Sequence, residues 1–500
     1  MTSSCSDQSA DASRHAAEAE SYLSQNQIPQ ARIAIREAIL ARDDVSEYHL
    51  LRGRIEYAAE SFESAYIAYS EALALNPTNQ EALLAVSQIG LRVGRFNESV
   101  DATNKMLVLN PNQMDALLIR GLHALIKRNY PDALTNADRI LSIDSFNEGG
   151  VVLKARAAFL SGDRTAAASV LDDFEKSRPN TQAVAMTRLE IYRALSDSAK
   201  MDEQFRNLAQ MRPDDLDIRL DKANFFYKTG RHPQATRLIV SVLANNKASK
   251  DNITTAIQLW TEYSVTEISV QQAKSIASGG TTAARVATAR YFIDTRDSKT
   301  AALILEGMAG ADADAERANL ALLTHNNLRA DNLSQKILAT DSTHCSALKA
   351  QASVALLSGR RNEALRSAQT ASSECPDQAE LWQLTAKIYS DIGDKDNVRR
   401  VFRQGIEANK QNQSLSRAYS NWLLSQGNTR EALAVARKIT RSAPALTSGW
   451  RLYAEVCSKT DAGCATEALQ GVKTSEGRYG IDLQPGQMPP NGLFGRLVIR

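Results

Sequence analysis

At 500 residues the chain is too long for a single hydrophobic core, so it divides into domains or stacks repeated units. Charged residues make up 23% and aromatics 6%, with Ala and Leu abundant, a mix that favours helices. A formal net charge of +2 gives no global basic field for nucleic acid, and no apolar run approaches the roughly 18 residues of a membrane span.

The N-terminal stretch "MTSSCSDQSADASRHAAEAE" lacks the apolar core of a signal peptide, which as written predicts a cytosolic protein. Cys5 nevertheless follows Ser3 and Ser4, small residues like those before the lipid-modified Cys of bacterial lipoproteins. With a start further upstream, Cys5 would be the acylated first residue of a flexible tether over residues 1–11. The alternative is a stray cysteine in a polar tail.

From residue 12 a 34-residue period governs the chain. Pro77, Pro111, Pro179 and Pro213 fall on one series, with Ser145 filling the gap. Gly94, Gly162 and Gly230 fall on a second, and Ala31, Ala65, Ala133, Ala167 and Ala235 on a third. Self-similarity at this period marks a helical array. In "SEYHLLRGRIEYAAESFESAYIAYSEALALNP" a first helix runs from about Glu47 to Ala58. Gly53 and Ala65 are small where two helices cross; Phe62, Tyr69, Ala72 and Leu73 form the second helix's buried stripe. Pro77 then ends that helix.

Seven such repeats fill 12–249, starting near 12, 46, 80, 114, 148, 182 and 216. Residues 250–310 lose seven residues against three full periods and read as a divergent helical connector, weakened at Gly279-Gly280. Five more repeats fill 311–470, anchored by Gly359, Pro376, Gly393, Gly427 and Pro444. The tail 471–500, with its clustered Pro and Gly, reads as extended.

This pattern resembles the tetratricopeptide repeat. "WQLTAKIYSDIGDKDNVRRVFRQGI" places Trp382, Ala386, Tyr389, Gly393 and Phe402 in that family's slots, and departs from it at Val398 and Gly405, where the family prefers Ala. The resemblance implies an all-α fold: a right-handed superhelix of about 12–13 helical hairpins that binds other proteins in a concave groove lined by each repeat's first helix.

Carried onto this chain, the groove slots separate the two arrays. The first gives an apolar row: Leu50, Tyr57, Leu84, Leu91, Leu118, Leu125, Val152, Phe159, Met186, Leu220 and Tyr227. Such a row suits an amphipathic helix or an extended apolar segment, at roughly 25 cal/mol per Å² buried, or else packs against the next repeat. The second gives a basic and polar row: Asn319, Lys349, Gln383, Lys387, Arg417, Asn421 and Arg451. That row suits a carboxylate or an acidic segment, with solvated charge as the plain alternative.

Residues for catalysis do not converge in the sequence. The six histidines are scattered without paired ligand spacing, no Cys-x-x-Cys occurs, and "ASGGTT" lacks the Lys of a phosphate loop. His344-Cys345 is the one suggestive pair, outweighed by coincidence at a loop end. Cys345 and Cys375 lie at the start and end of one predicted hairpin, and Cys457 and Cys464 flank the turn of the last. Two local disulfides in an oxidising compartment fit this placement, as do four buried thiols in a reducing one.

The expectation is a non-catalytic scaffold, without cofactor or metal, that binds protein segments and no nucleic acid. Any membrane contact would run through a lipid on Cys5. Resemblance to bacterial lipoproteins of this family points to envelope assembly, pilus assembly or polysaccharide export; a cytosolic scaffold or regulator is the alternative. An enzyme would need a site in the divergent middle, where the sequence offers no residues for one.

Overall fold

The computed structural model describes residues 3–178, 181–409, 412–442, 446–460 and 463–477, leaving aside the side chains of residues 3–8, 442 and 477. Among the described residues there are 28 helices and no strand, an α-helical repeat solenoid. Two compact units divide the chain, the first reaching Ile191 and the second beginning at Tyr192, within a single helix.

The first unit opens with α1 (Ser3–Ser24), α2 (Ile28–Ala41), α3 (Ser46–Ala58), α4 (Phe62–Leu75), α5 (Gln80–Arg92) and α6 (Phe96–Leu109). It continues with α7 (Met114–Ile126), α8 (Tyr130–Ile143), α9 (Glu148–Ser161), α10 (Arg164–Ser177) and most of α11 (Gln182–Ala194). Odd helices open hairpins and even ones close them. Helix α1 already runs through the stretch expected as a tether, because its Ala-rich sequence has no breaker before Ser24.

The second unit holds α12 (Ser198–Met211), α13 (Leu216–Lys228), α14 (His232–Leu243), α15 (Lys250–Glu262), α16 (Val270–Gly279) and α17 (Thr282–Asp294). Then come α18 (Ser298–Leu305), α19 (Ala311–Leu323), α20 (Asn327–Leu338), α21 (Cys345–Leu357), α22 (Arg361–Glu374) and α23 (Ala379–Ile392). It ends with α24 (Lys395–Ala408), α25 (Gln413–Ser425), α26 (Thr429–Ser442), α27 (Thr447–Thr460) and α28 (Ala465–Gly477). Helix α28 extends past residue 470, where the tail was expected to start; residues 478–500 lie outside the described residues.

One backbone feature keeps the period. From α1 to α16 each hairpin turns through a residue with positive φ, at Asn26, Glu60, Gly94, Arg128, Gly162, Ser196, Gly230 and Ser264, each 34 residues after the last. The next such residues are Arg296 and His325, steps of 32 and 29; Gly359, Gly393 and Gly427 then restore 34. The seven lost residues therefore fall between Ser264 and His325. There α16 and α18 shorten to 10 and 8 residues.

Packing follows the small residues. Ala31, Ala65, Ala133, Ala167 and Ala235 are all buried, and a Cβ on Gly53 would lie 2.8 Å from the Tyr69 ring. At Gly405, where the family prefers Ala, a Cβ would meet Trp382 at 2.7 Å and Leu415 at 3.1 Å, so the glycine leaves room for these two side chains. Gly279 and Gly280 lie against the carbonyl oxygens of Ala244 and Leu243, with room for no side chain. The divergent stretch is well packed: Trp260 is fully buried, its ring centroid 5.5 Å from those of Tyr291 and Phe292.

The two ends of the second unit touch. Lys228 Nζ on α13 donates to Ser475 O on α28 at 2.8 Å. Ser448 on α27 donates from its backbone N to Glu262 Oε1 on α15 at 3.1 Å, and its hydroxyl donates to the same carboxylate.

Candidate protein-binding faces

The apolar row expected along the first array resolves into two kinds of position. Leu50, Leu91, Leu125, Val152, Leu220 and Tyr227 are buried, between 2% and 7% exposed. Tyr227 stacks on Tyr263 at 4.5 Å between centroids and bonds through its hydroxyl to Thr236. These side chains hold helix to helix. Tyr57, Leu84, Leu118, Phe159 and Met186 are half-buried, and all five belong to the first unit. They occupy the same face of successive opening helices, because slots seven residues apart lie two turns apart on one side.

Two buried arginines of the first unit are ion-paired. Arg156 bonds to Glu190 at 2.8 Å, and Arg188 meets both Asp172 and Glu175. His123 is buried beside Ser99 Oγ at 2.9 Å, and desolvation pushes its imidazole down to about 4, so it is neutral at pH 7.

The basic row of the second array is largely matched by carboxylates. Lys349 Nζ lies 3.0 Å from Asp294 Oδ1. Desolvation lowers the Lys349 ammonium pKa, but Asp294, Glu380 and Glu316 outweigh it and hold the group above its ordinary value. Desolvation likewise pushes the Asp294 carboxyl up, against the pull of Lys349. Arg417 pairs with Glu455, and Arg451 with Glu476 at 3.1 Å. Gln383 donates to Ser414 Oγ at 2.9 Å, and Asn319 is buried, donating to Ala315 O, Glu316 Oε2 and Ser346 O. Lys387 and Asn421 are exposed with no ion pair or hydrogen bond among the described residues.

Sequence reasoning missed the centre of this network. Arg290 donates to Glu316 at 2.9 Å and to Ser346 Oγ at 2.8 Å, with Glu316 only 1% exposed. Desolvation opposes the Arg290 charge, and Glu316 with Glu380 behind it overcomes that, keeping the guanidinium above its ordinary value. Arg290 and Asp294 sit in the phase-broken stretch, where a fixed-period reading assigns no slot. An i, i+4 Arg-Asp pair on α17 was the available signal.

The tetratricopeptide repeat family matches residues 16–80 and again residues 379–412. The chain carries tetratricopeptide repeats. Similar solved structures include a tetratricopeptide repeat protein from Parabacteroides merdae, 13% identical with TM-score 0.41, covering 54% of this chain and 98% of that one. PilW, described as a type IV pilus biogenesis factor, is 19% identical with TM-score 0.35, covering 41% and 94%. The structure of Naa15/Naa10 bound to HypK-THB is 13% identical with TM-score 0.31, covering 93% and 78%. At these values the neighbours carry no argument about function. Among curated proteins none matches the sequence.

The cysteines pair within their hairpins. Cys345 and Cys375 join with S–S 2.04 Å and Cα–Cα 6.3 Å; Cys457 and Cys464 join with Cα–Cα 5.8 Å. His344 is the N-cap of α21, its Nδ1 accepting from Ala347 N at 3.4 Å while Nε2 lies 3.2 Å from Asp312. The adjacent His344 and Cys345 thus serve a helix cap and a disulfide. Among the described residues no group of three His, Cys, Asp or Glu is placed to hold a metal ion, and no helix is long and apolar enough to cross a membrane. The side chain of Cys5 lies outside the described residues.

Proposed function

We propose that this chain is a non-catalytic scaffold whose first unit binds apolar or amphipathic segments of other proteins. The observation that carries it is the half-exposed row Tyr57, Leu84, Leu118, Phe159 and Met186, large side chains at repeat spacing on one face. A helix laid along them buries apolar area on both partners at roughly 25 cal/mol per Å². In the second unit recognition rests on Lys387 and Asn421 and on cations that exchange one carboxylate for another, so it contributes selectivity more than affinity.

The test is crosslinking capture with the parent chain, a Leu84→Glu/Leu118→Glu variant and a Lys387→Glu variant. Partners lost from the first variant, with a changed selection among partners in the last, support the reading. Unchanged capture by both, with both folded, overturns it.

We place the protein in the cell envelope, in assembly of envelope structures, pili or exported polysaccharide. Support comes from the pairing of Cys345 with Cys375 and Cys457 with Cys464, which persists in an oxidising compartment. Lipid on Cys5 would tether it there. Thiol counting on protein isolated under alkylating conditions, with fractionation of a Cys5→Ser variant, tests both points. Five free thiols and unchanged fractionation would move the protein to the cytosol.

A further inference from the structure

We propose that the groove between α26 and α28 docks an acidic segment of a partner protein in which a short apolar run is flanked by carboxylates. The proposal rests on the scaffold reading but places a second contact on the closing helices, away from the opening-helix face.

Helix α26, "TREALAVARKITRS", carries four cations and one carboxylate. Arg430, Ala434, Arg437 and Arg441 form one stripe at steps of four, three and four residues. The groove beside this stripe has a volume of about 700 Å³. Arg430, Arg437, Lys438 and Arg441 stand around it, and Leu433, Ala434 and Cys464 supply apolar lining.

The internal charges do not cancel. Arg437 is held by Glu467 at 2.9 Å, and the Tyr453 hydroxyl approaches the same carboxylate at 3.3 Å. This repeats a trio one hairpin earlier, where Arg403 and the Tyr419 hydroxyl meet Glu431 at 2.6 and 2.8 Å. Arg437 is thus part of the scaffold, and Lys438 lies 3.5 Å from Glu407. Arg430 and Arg441 are exposed and have no ion pair among the described residues. Eleven residues of helix separate them, about 16 Å, the reach of some five extended residues.

Charge and shape select the occupant. Tyr453 is 2% exposed and offers no ring face for a base to stack upon. Glu467 lines the groove and repels a run of phosphates, whether from nucleic acid or lipid. A peptide avoids that repulsion by placing carboxylates at the two ends and apolar side chains over Leu433. The chain's own residues 478–500 carry three Arg and one Asp, the same sign as the groove, and are not its complement.

The test uses the full chain and a fluorescein-labelled heptapeptide of three apolar residues flanked on each side by two glutamates, read by fluorescence anisotropy. Binding is expected to weaken at least tenfold in Arg430→Glu/Arg441→Glu and to be unchanged in Lys274→Glu, an exposed cation on α16 outside both proposed faces, with equal thermal unfolding. Absence of binding by the parent, or equal binding by the double variant, overturns the proposal. So does equal binding of a peptide with serines for the apolar residues. Tighter binding of single-stranded DNA or phosphatidylglycerol vesicles through the same two arginines overturns it as well. Capture of partners through Leu84 and Leu118 is scored separately, so the groove can fail while the scaffold reading stands.

Discussion

The hairpin turns allow a conformational term to be measured almost free of packing. Gly94 turns its hairpin at φ +79°, and a Cβ built there meets no atom within 4 Å. Glu60 holds the equivalent turn one repeat earlier at φ 57°, exposed, with no side-chain partner among the described residues. A left-handed conformation costs an L-residue about 1–2 kcal/mol, and glycine costs about 0.5–1 kcal/mol through its freer unfolded state. Glu60→Gly should therefore stabilise the chain by ~0.5–1 kcal/mol, and Gly94→Ala should destabilise it by a similar ~0.5–1 kcal/mol. Solenoids unfold locally, so urea melts need amide exchange to assign the change to the α3–α4 or α5–α6 hairpin. A destabilising Glu60→Gly, or a neutral Gly94→Ala, would refute the claim that backbone strain alone separates the two turns.

Other outcomes follow from the same structure. Replacing Cys345 and Cys375 by Ala opens a bond spanning 30 residues and should cost roughly 3.5 kcal/mol on the chain-entropy estimate, read as a lower urea midpoint in the second unit only. His123, neutral in the fold with its pKa near 4, adds stability that is full above about pH 6.5 and lost as pH falls towards 4. His123→Gln should flatten that part of the stability-against-pH curve; an unchanged slope contradicts it. Lys228 is depressed to about 8 by desolvation, so the unfolded chain holds its proton longer, and stability should rise between about pH 8 and 10.5. The rise belongs to the contact between α13 and α28, and Lys228→Met should remove it from a urea melt followed by tryptophan fluorescence.

Much of this architecture was legible in the residues because it is local. Pro77, Gly94 and Ala65 each act within one hairpin, so their spacing reports the repeat directly. The disulfide partners could be placed for the same reason, since an antiparallel pair of helices returns Cys375 to Cys345. Where Gly279 and Gly280 suggested only a weak helix, the cause was a backbone approach to Ala244 and Leu243 that no local rule contains.

The binding faces were less legible. A slot number fixes which helix face a residue takes, but not whether the neighbouring repeat covers it. Leu91 and Leu84 share one row, and only packing made the first buried and the second half-open. Likewise Lys349, Arg417 and Arg451 read as an open basic row until their carboxylates appeared from other helices, 55, 38 and 25 residues away.

The sequence by itself determined the repeat, the turn positions and the small residues at helix crossings, because these depend on interactions within about 34 residues. Tertiary structure alone decided which charges are neutralised, which leucines remain at the surface, and that Lys228 meets Ser475 across 247 residues. Coulombic pairing and burial depend on distance in space, and stacking the hairpins is what sets that distance.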